Sequence, residues 1–170
     1  MLMDKEVQAV IIALVVVGSV FAAAMILRGN AGEPFDAIGL LNENCVIGEY
    51  PSQLTIGENV TLCIFVYNHM NKVEYYKIVY RIGTNETIPS NTTSSPEPEI
   101  MEWRLALDND ANTTFKVTIP FNPPEDYWSR DKVALIFELW RYNTSSGMWE
   151  YTGKWVHLYV KPVPPLLPGG

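Results

Sequence analysis

From Val7 to Leu27 the chain reads VQAVIIALVVVGSVFAAAMIL, 21 residues without a charge, with Gln8 and Ser19 its only polar side chains. No polar face recurs at helical spacing, as a surface helix requires. A helix of that length spans about 31 Å, close to the hydrocarbon thickness of a bilayer. The pattern therefore predicts a transmembrane α-helix over residues 7–27, behind a short cytoplasmic stretch at residues 1–6. A cleaved signal peptide is the competing reading, because Ala22-Ala23-Ala24 offers a small-residue cleavage site. Against it, Met25, Ile26 and Leu27 continue the apolar run, and MLMDKE ahead of it lacks a clear positive charge.

Beyond a short flexible linker at residues 28–34, the period changes to two. Phe115, Val117 and Ile119 alternate with Thr114, Lys116 and Thr118. Val60, Leu62, Ile64 and Val66 share one face of Asn59–Asn68, and Tyr76, Ile78, Tyr80 and Ile82 share one face of Glu74–Ile82. Lys132–Tyr142 and Met148–Val160 are further strands, joined by the turn-rich Asn143–Gly147. Turn residues separate these runs, and none carries a helical pattern. The chain is expected to be mainly β: an immunoglobulin-like antiparallel β-sandwich of seven to eight strands over residues 35–160, preceded by the one helix. Ser90–Glu99 reads as a polar loop. Residues 161–170, KPVPPLLPGG, read as an extended proline-rich tail outside the sheet.

Charge narrows the partners. Twelve Lys and Arg stand against 19 Asp and Glu, a net charge of −7 with pI near 4.8, and mean hydropathy is +0.03. Nucleic acid is excluded as a partner, since it needs a basic stripe. Positive charges flank residues 7–27 almost evenly, so they orient the span weakly. Glycosylation sequons supply the stronger signal, at Asn59, Asn85, Asn91, Asn112 and Asn143. With 12 Asn and 19 Ser plus Thr in 170 residues, chance gives about 1.3 such motifs. All five follow the span, so the N-terminus is expected inside the cell membrane and the C-terminal domain outside it. Two cysteines, Cys45 and Cys63, fit an oxidising exterior. Paired, they would close an 18-residue separation; the other reading is two free thiols on separate strands.

GEYPSQLTIGENVTLCIFVYNHM resembles an archaeal family of domains of unknown function, number 1616. The matching residues are Tyr50-Pro51, Leu54, Gly57-Glu58 and Asn68-His69, followed in order by Tyr75-Tyr76, Trp103–Leu107, the Phe115 strand and Leu158-Tyr159-Val160. The resemblance covers roughly Phe35 to Val160. It implies an archaeal, membrane-linked, outward-facing domain and no activity.

Candidate chemistry is sparse. A blue-copper site needs two His, a Cys thiolate and an axial Met. The chain holds His69 and His157, but no His precedes His69, and Met70 follows it directly. Zinc meets the same shortage of ligands. No nucleophile elbow or phosphate loop occurs, and Glu97 and Glu99 read as a solvated acidic turn. No catalytic residue, metal ligand or cofactor is expected, and the chain is not expected to be an enzyme. Asn68-His69 reads as a strand end closed by an Asn cap.

One signal stands out. If Val133, Leu135, Phe137 and Leu139 face the core, Ile136, Trp140 and Tyr142 face outward. Across the next strand Trp155, His157 and Tyr159 do the same, preceded by Trp149 and Tyr151, with Tyr75 and Val79 on a third strand. Tyr75, Trp140, Tyr142, Trp155, His157 and Tyr159 are the interface candidates, since exposed aromatic patches mark contact surfaces. Cover by the Trp128 loop or the C-terminal tail is the alternative. The expected partners are the bilayer through residues 7–27 and other envelope or membrane proteins, or a second copy. A filament subunit, and a tethered redox or carbohydrate-binding domain, are the competing functions.

Overall fold

The computed structural model describes residues 5–27 and 32–166. The expected tip at residues 1–4, the linker residues 28–31 and the tail residues 167–170 lie outside the described residues. The chain divides between Pro34 and Phe35 into two compact units.

The first unit holds helix α1, Lys5–Leu27, of 23 residues. Among the described residues, no helix is long and apolar enough to cross a membrane. The uncharged run read from the sequence includes Phe21 and residues 24–27, whose side chains are outside that description. The membrane expectation therefore rests on the amino-acid pattern alone.

The second unit is a β-sandwich. Its strands are β1 (Phe35–Leu41), β2 (Gln53–Thr55), β3 (Asn59–His69), β4 (Glu74–Gly83), β5 (Met101–Leu107), β6 (Asn112–Pro120), β7 (Val133–Asn143) and β8 (Met148–Val163). One sheet has the order β1-β3-β6, the other β2-β8-β7-β4-β5. The alternating residues do what their period requires. Leu62, Ile64 and Val66 from one sheet meet Ile78, Tyr80, Leu135, Phe137 and Leu139 from the other, all with no exposed surface. Each such side chain contributes about 1.5–3 kcal/mol by leaving water. The buried Tyr80 hydroxyl is satisfied by the carbonyl of Pro120 at 3.1 Å.

Four details differ from the sequence expectation. The sandwich is not wholly antiparallel: β2 pairs with the end of β8 in parallel, Gln53–Thr55 against Lys161–Val163. So the sheet runs past residue 160 into the proline-rich tail. Pro162 is tolerated there because β7 stops at Val133 opposite Val160, leaving one neighbour to serve.

Most of the outer face of the five-stranded sheet is covered, and the cover is neither the Trp128 loop nor the tail. Residues 84–100 lie across it. Val79, Ala134, Ile136 and Glu138, on the outward side of their strands, have no exposed surface. Gly153 allows the close approach: its φ is +75°, and a Cβ there would collide with the Asn91 carbonyl.

The loop is pinned by charge. Glu138 accepts the Ser95 backbone N–H at 2.6 Å, the Arg81 guanidinium at 3.2 Å and the Trp140 indole N–H at 3.0 Å. Arg81 also donates to the Glu97 carbonyl, and the Glu97 carboxylate accepts the Tyr127 hydroxyl at 2.7 Å. That hydrogen bond, with burial, pushes the Tyr127 hydroxyl up to about 12. Glu97 is thus a pinned, half-buried anchor, not a solvated turn residue.

Candidate functional site

The loop leaves one end of the outer face open, and there the aromatic residues gather. On β4 the outward residues are Tyr75 and Lys77; on β7 they are Trp140 and Tyr142. A bulge at Leu139/Trp140 places Lys154 opposite Leu139 but Tyr151 opposite Trp140. Thr152 and Gly153 are the extra residues, and the Thr152 hydroxyl donates to the Leu139 carbonyl at 2.7 Å. The bulge aligns Trp149 and Tyr151 with Tyr142 and Trp140.

The rings pack closely. Tyr75 and Tyr142 lie 5.2 and 5.3 Å from Trp149, centroid to centroid, and Tyr151 lies 5.5 Å from Trp140. Lys77 sits over both indoles, 5.4 Å from Trp140 and 5.5 Å from Trp149, and Arg104 sits 5.4 Å from Trp149. Acidic neighbours balance these cations: Glu102 and Glu99 lie 3.4 and 3.7 Å from the Lys77 ammonium. Burial works against the Glu102 anion, but its bonds to Glu99 and Arg104, with Lys77 nearby, hold its carboxyl below the ordinary value. Tyr75 stays 42% exposed at the rim.

Behind this cluster, both sheets contribute to a polar network. Asp36 on β1 is 5% exposed and accepts from Arg141 of β7 at 3.2 Å. Burial raises the Asp36 carboxyl above its ordinary value, against the pull of Arg141 and Lys154. Asn68, fully buried at the end of β3, donates to the carbonyls of Lys72, Leu107 and Asp108 and accepts the Met70 N–H at 3.0 Å. The expected Asn cap at this turn is present.

The six interface candidates divide. Tyr75, Trp140 and Tyr142 belong to the aromatic end. Trp155 and His157 instead line a groove against Leu40 and Tyr50, while His157 and Tyr159 pair at 4.8 Å. The bulge and the loop separate the two groups, so the face is not one continuous aromatic surface. Trp149, Tyr151, Lys77 and Arg104 complete the end and were not among the candidates. The Trp149-x-Tyr151 spacing, matching Trp140-x-Tyr142 across a Gly-containing stretch, was the available signal.

Cys45 and Cys63 form a disulfide, with Cα atoms 5.1 Å apart, so Cys63 offers no thiolate to a metal. His69 pairs with Asp110 and stacks among Phe35 and Tyr67. Among the described residues, no three His, Cys, Asp or Glu side chains converge as a metal site. Asn59, Asn85, Asn91 and Asn112 are exposed, whereas Asn143 is half-buried.

No family model and no curated protein matches the chain. Among solved structures it is similar to a β-glucosidase from Listeria innocua, with 8% identity over 78% of this chain and a TM-score of 0.47. The chain spans 16% of that enzyme's length. It is similar also to the CARDB domain of a Pyrococcus furiosus protein, with 8% identity, TM-score 0.46, and 77% and 90% of the two chains covered. A third is the sporulation control protein Spo0M of Bacillus subtilis, with 13% identity, TM-score 0.43, and 75% and 49% covered.

Proposed function

We propose that this chain is a non-enzymatic, membrane-anchored cell-surface module that holds a partner protein through the aromatic end of its five-stranded sheet. The observation that carries the reading is the Tyr75–Tyr142–Trp149 cluster, left open where residues 84–100 cover the rest of the face. Clustered Tyr and Trp rings give large contact area at low entropic cost, and Arg and Lys at their edges add directional contacts.

The location rests on sequence. Val7–Leu27 carries no charge, and its described apolar side chains, Val10, Ile11, Leu14 and Val17 among them, are exposed. Lipid is the cover that such a surface calls for. Five sequons downstream and the Cys45–Cys63 disulfide favour an exported domain. The sheet orders β1-β3-β6 and β8-β7-β4 support an immunoglobulin-like arrangement. The motifs from Tyr50-Pro51 to Leu158-Tyr159-Val160 support kinship with the archaeal family 1616.

The test is purification of the full chain from native membranes, with identification of what accompanies it. The chain should remain in the membrane pellet after alkaline carbonate washing and bring one partner in stable ratio. A Tyr75→Ser/Tyr142→Ser variant should remain in the pellet and lose that partner. Trp140 is less suitable for this test, because its indole N–H helps hold Glu138. Release of the chain by carbonate would refute the anchor, and an unchanged partner in the variant would refute the surface.

A further inference from the structure

Strand β8 carries an open edge. The Lys161 N–H donates to the Ser52 carbonyl at 2.9 Å, and the Val163 carbonyl accepts the Ile56 N–H at 2.8 Å. Backbone groups alternate along a strand, so those of Trp155, His157 and Tyr159 point to this same side, away from β7. The β7–β8 register is unbroken from Lys154 to Val160, which keeps the alternation intact. β2 covers this side only at Lys161–Val163, and β1 pairs with β3. Among the described residues, no strand pairs with β8 on this side between Lys154 and Val160. We propose that the edge binds an extended peptide segment of a partner protein, which adds to the five-stranded sheet beside β8.

The usual protections of an edge lie outside this stretch. Edges are ordinarily blunted by charge, proline, a bulge or a covering segment. Here the bulge falls at Thr152 and Gly153, and the proline is Pro162. Between Lys154 and Lys161 the chain reads WVHLYV, without an acid, a lysine or an arginine. There is room beside it. Two cavities of about 410 and 500 Å³ share Trp155 and follow the seam between β1 and β8. The far wall is Ile38, Leu40 and Tyr50. The Tyr50 hydroxyl donates to the Leu40 carbonyl at 2.8 Å, so the β1 side is partly closed and β8 is the side that offers pairing.

Backbone chemistry decides the occupant. N–H and C=O groups that recur at every second residue, about 6.6–7 Å apart, are matched by another strand. A helix has already spent its backbone groups internally. A second copy of this edge does not fit. Two β8 strands set antiparallel about His157 would drive β2 of each copy, which holds Lys161–Val163, against Tyr151–Gly153 of the other. A short segment of a different protein meets no such obstacle.

Side chains set the sequence of that segment. Val156 and Leu158 pack against the core beside the buried Val160, and Trp155, His157 and Tyr159 take the other face. A guest strand therefore has apolar or aromatic neighbours on both faces. Lys154 and Lys161, both exposed, stand at the two ends. Asp36 lines the seam beside Lys154 but is committed to Arg141 at 3.2 Å. Opposite charges across a strand pair are favourable. The fitting segment is uncharged in its middle and acidic at its ends. The site is separate from the Tyr75–Tyr142–Trp149 cluster, since the bulge and residues 84–100 lie between them.

The probe is the blocked peptide Glu-Val-Tyr-Val-Thr-Val-Glu, titrated into the purified full chain in detergent and followed by calorimetry and hydrogen exchange. It should bind saturably and slow exchange at the Trp155, His157 and Tyr159 amides. Of two versions N-methylated at alternate residues, one should lose binding and the other keep it, because only one set of N–H groups faces β8. Lysine in place of both glutamates should weaken binding. His157→Pro should weaken it by about tenfold or more. That N–H does not serve β7, so proline is tolerated there as on any edge; the methylated peptides test the unaltered protein should this variant not fold. Tyr75→Ser/Tyr142→Ser should bind the peptide unchanged. Four results would overturn the proposal: no saturable binding, equal binding of both methylated versions, loss of binding in the Tyr75→Ser/Tyr142→Ser variant, or protection of the three amides that rises with protein concentration alone, which would make a second copy the occupant. None of these touches the partner held at Tyr75, which stands or falls on co-purification.

Discussion

Ser95 donates its backbone N–H to the wholly buried carboxylate of Glu138 at 2.6 Å, and this bond holds a loop across a sheet face that would otherwise be open. The same carboxylate neutralises Arg81, whose side chain is 12% exposed. Glu138→Ala should therefore cost about 3–5 kcal/mol, since it strands a buried guanidinium as well as freeing the loop. Arg81→Met/Glu138→Leu should cost less than the single change. Urea unfolding gives both values, and hydrogen exchange should show residues 84–100 losing protection in each variant. A single variant no less stable than the double would contradict the pinning.

The Cys45–Cys63 bond closes an 18-residue separation. Cys45→Ala/Cys63→Ala should lose about 3 kcal/mol of unfolding free energy. Reduction of the unaltered protein should lower its melting temperature to a similar degree. Equal stability with and without reductant would show that the bond adds nothing to the fold.

Asp36 gives the unfolding free energy a pH dependence of known sign. Its carboxyl is raised above the ordinary 3.8 in the folded protein. The protonated form therefore favours folding. Its contribution is complete below the unfolded value and is lost as pH rises through the native one. Relative to Asp36→Asn, the unaltered protein should become less stable as pH rises from about 3.5 to 7. Urea titrations across that range test it, and a relative gain in stability would reverse the assignment.

The sequons should not be used alike. Glycan attaches at the Asn side-chain nitrogen, and at Asn143 that nitrogen donates to Glu150 at 2.7 Å while the oxygen accepts the Ser145 N–H at 2.9 Å. Asn59, Asn85, Asn91 and Asn112 are exposed. Peptide mapping of the native protein should find glycan at these four and an unmodified Asn143. A glycan on Asn143 would show that the hairpin opens before modification.

Much of the sandwich was legible because half-buried strands must alternate. Val60 to Val66 and Tyr76 to Ile82 each declare their core face by period, whereas Val133 to Leu139 is apolar on both faces but for Glu138, so its core face was only conditional. The cover on the outer face was not legible. Ser90–Glu99 is polar in composition, as solvated loops are, and a main anchor of it is one Glu within VALIFELW. Little local marks that residue as buried: beside the Trp140 indole two positions on, its partners Ser95 and Arg81 are 43 and 57 positions away. The division of the aromatic residues was hidden for a related reason. A bulge shifts register without changing composition, and Gly153 was its only local sign. Pro162 misled in the opposite direction, since proline is excluded from strands with two neighbours but not from an edge.

The central claim is that the end carrying Tyr75, Tyr142 and Trp149 is the surface this protein presents to a partner. Site-specific photo-crosslinking in native membranes tests it most directly, with the reactive side chain placed at Tyr75 or, for comparison, at the exposed Thr118 on the other sheet. The account predicts a discrete adduct of one partner from position 75 and none from position 118. Adducts from both positions alike, or from position 118 only, would contradict it.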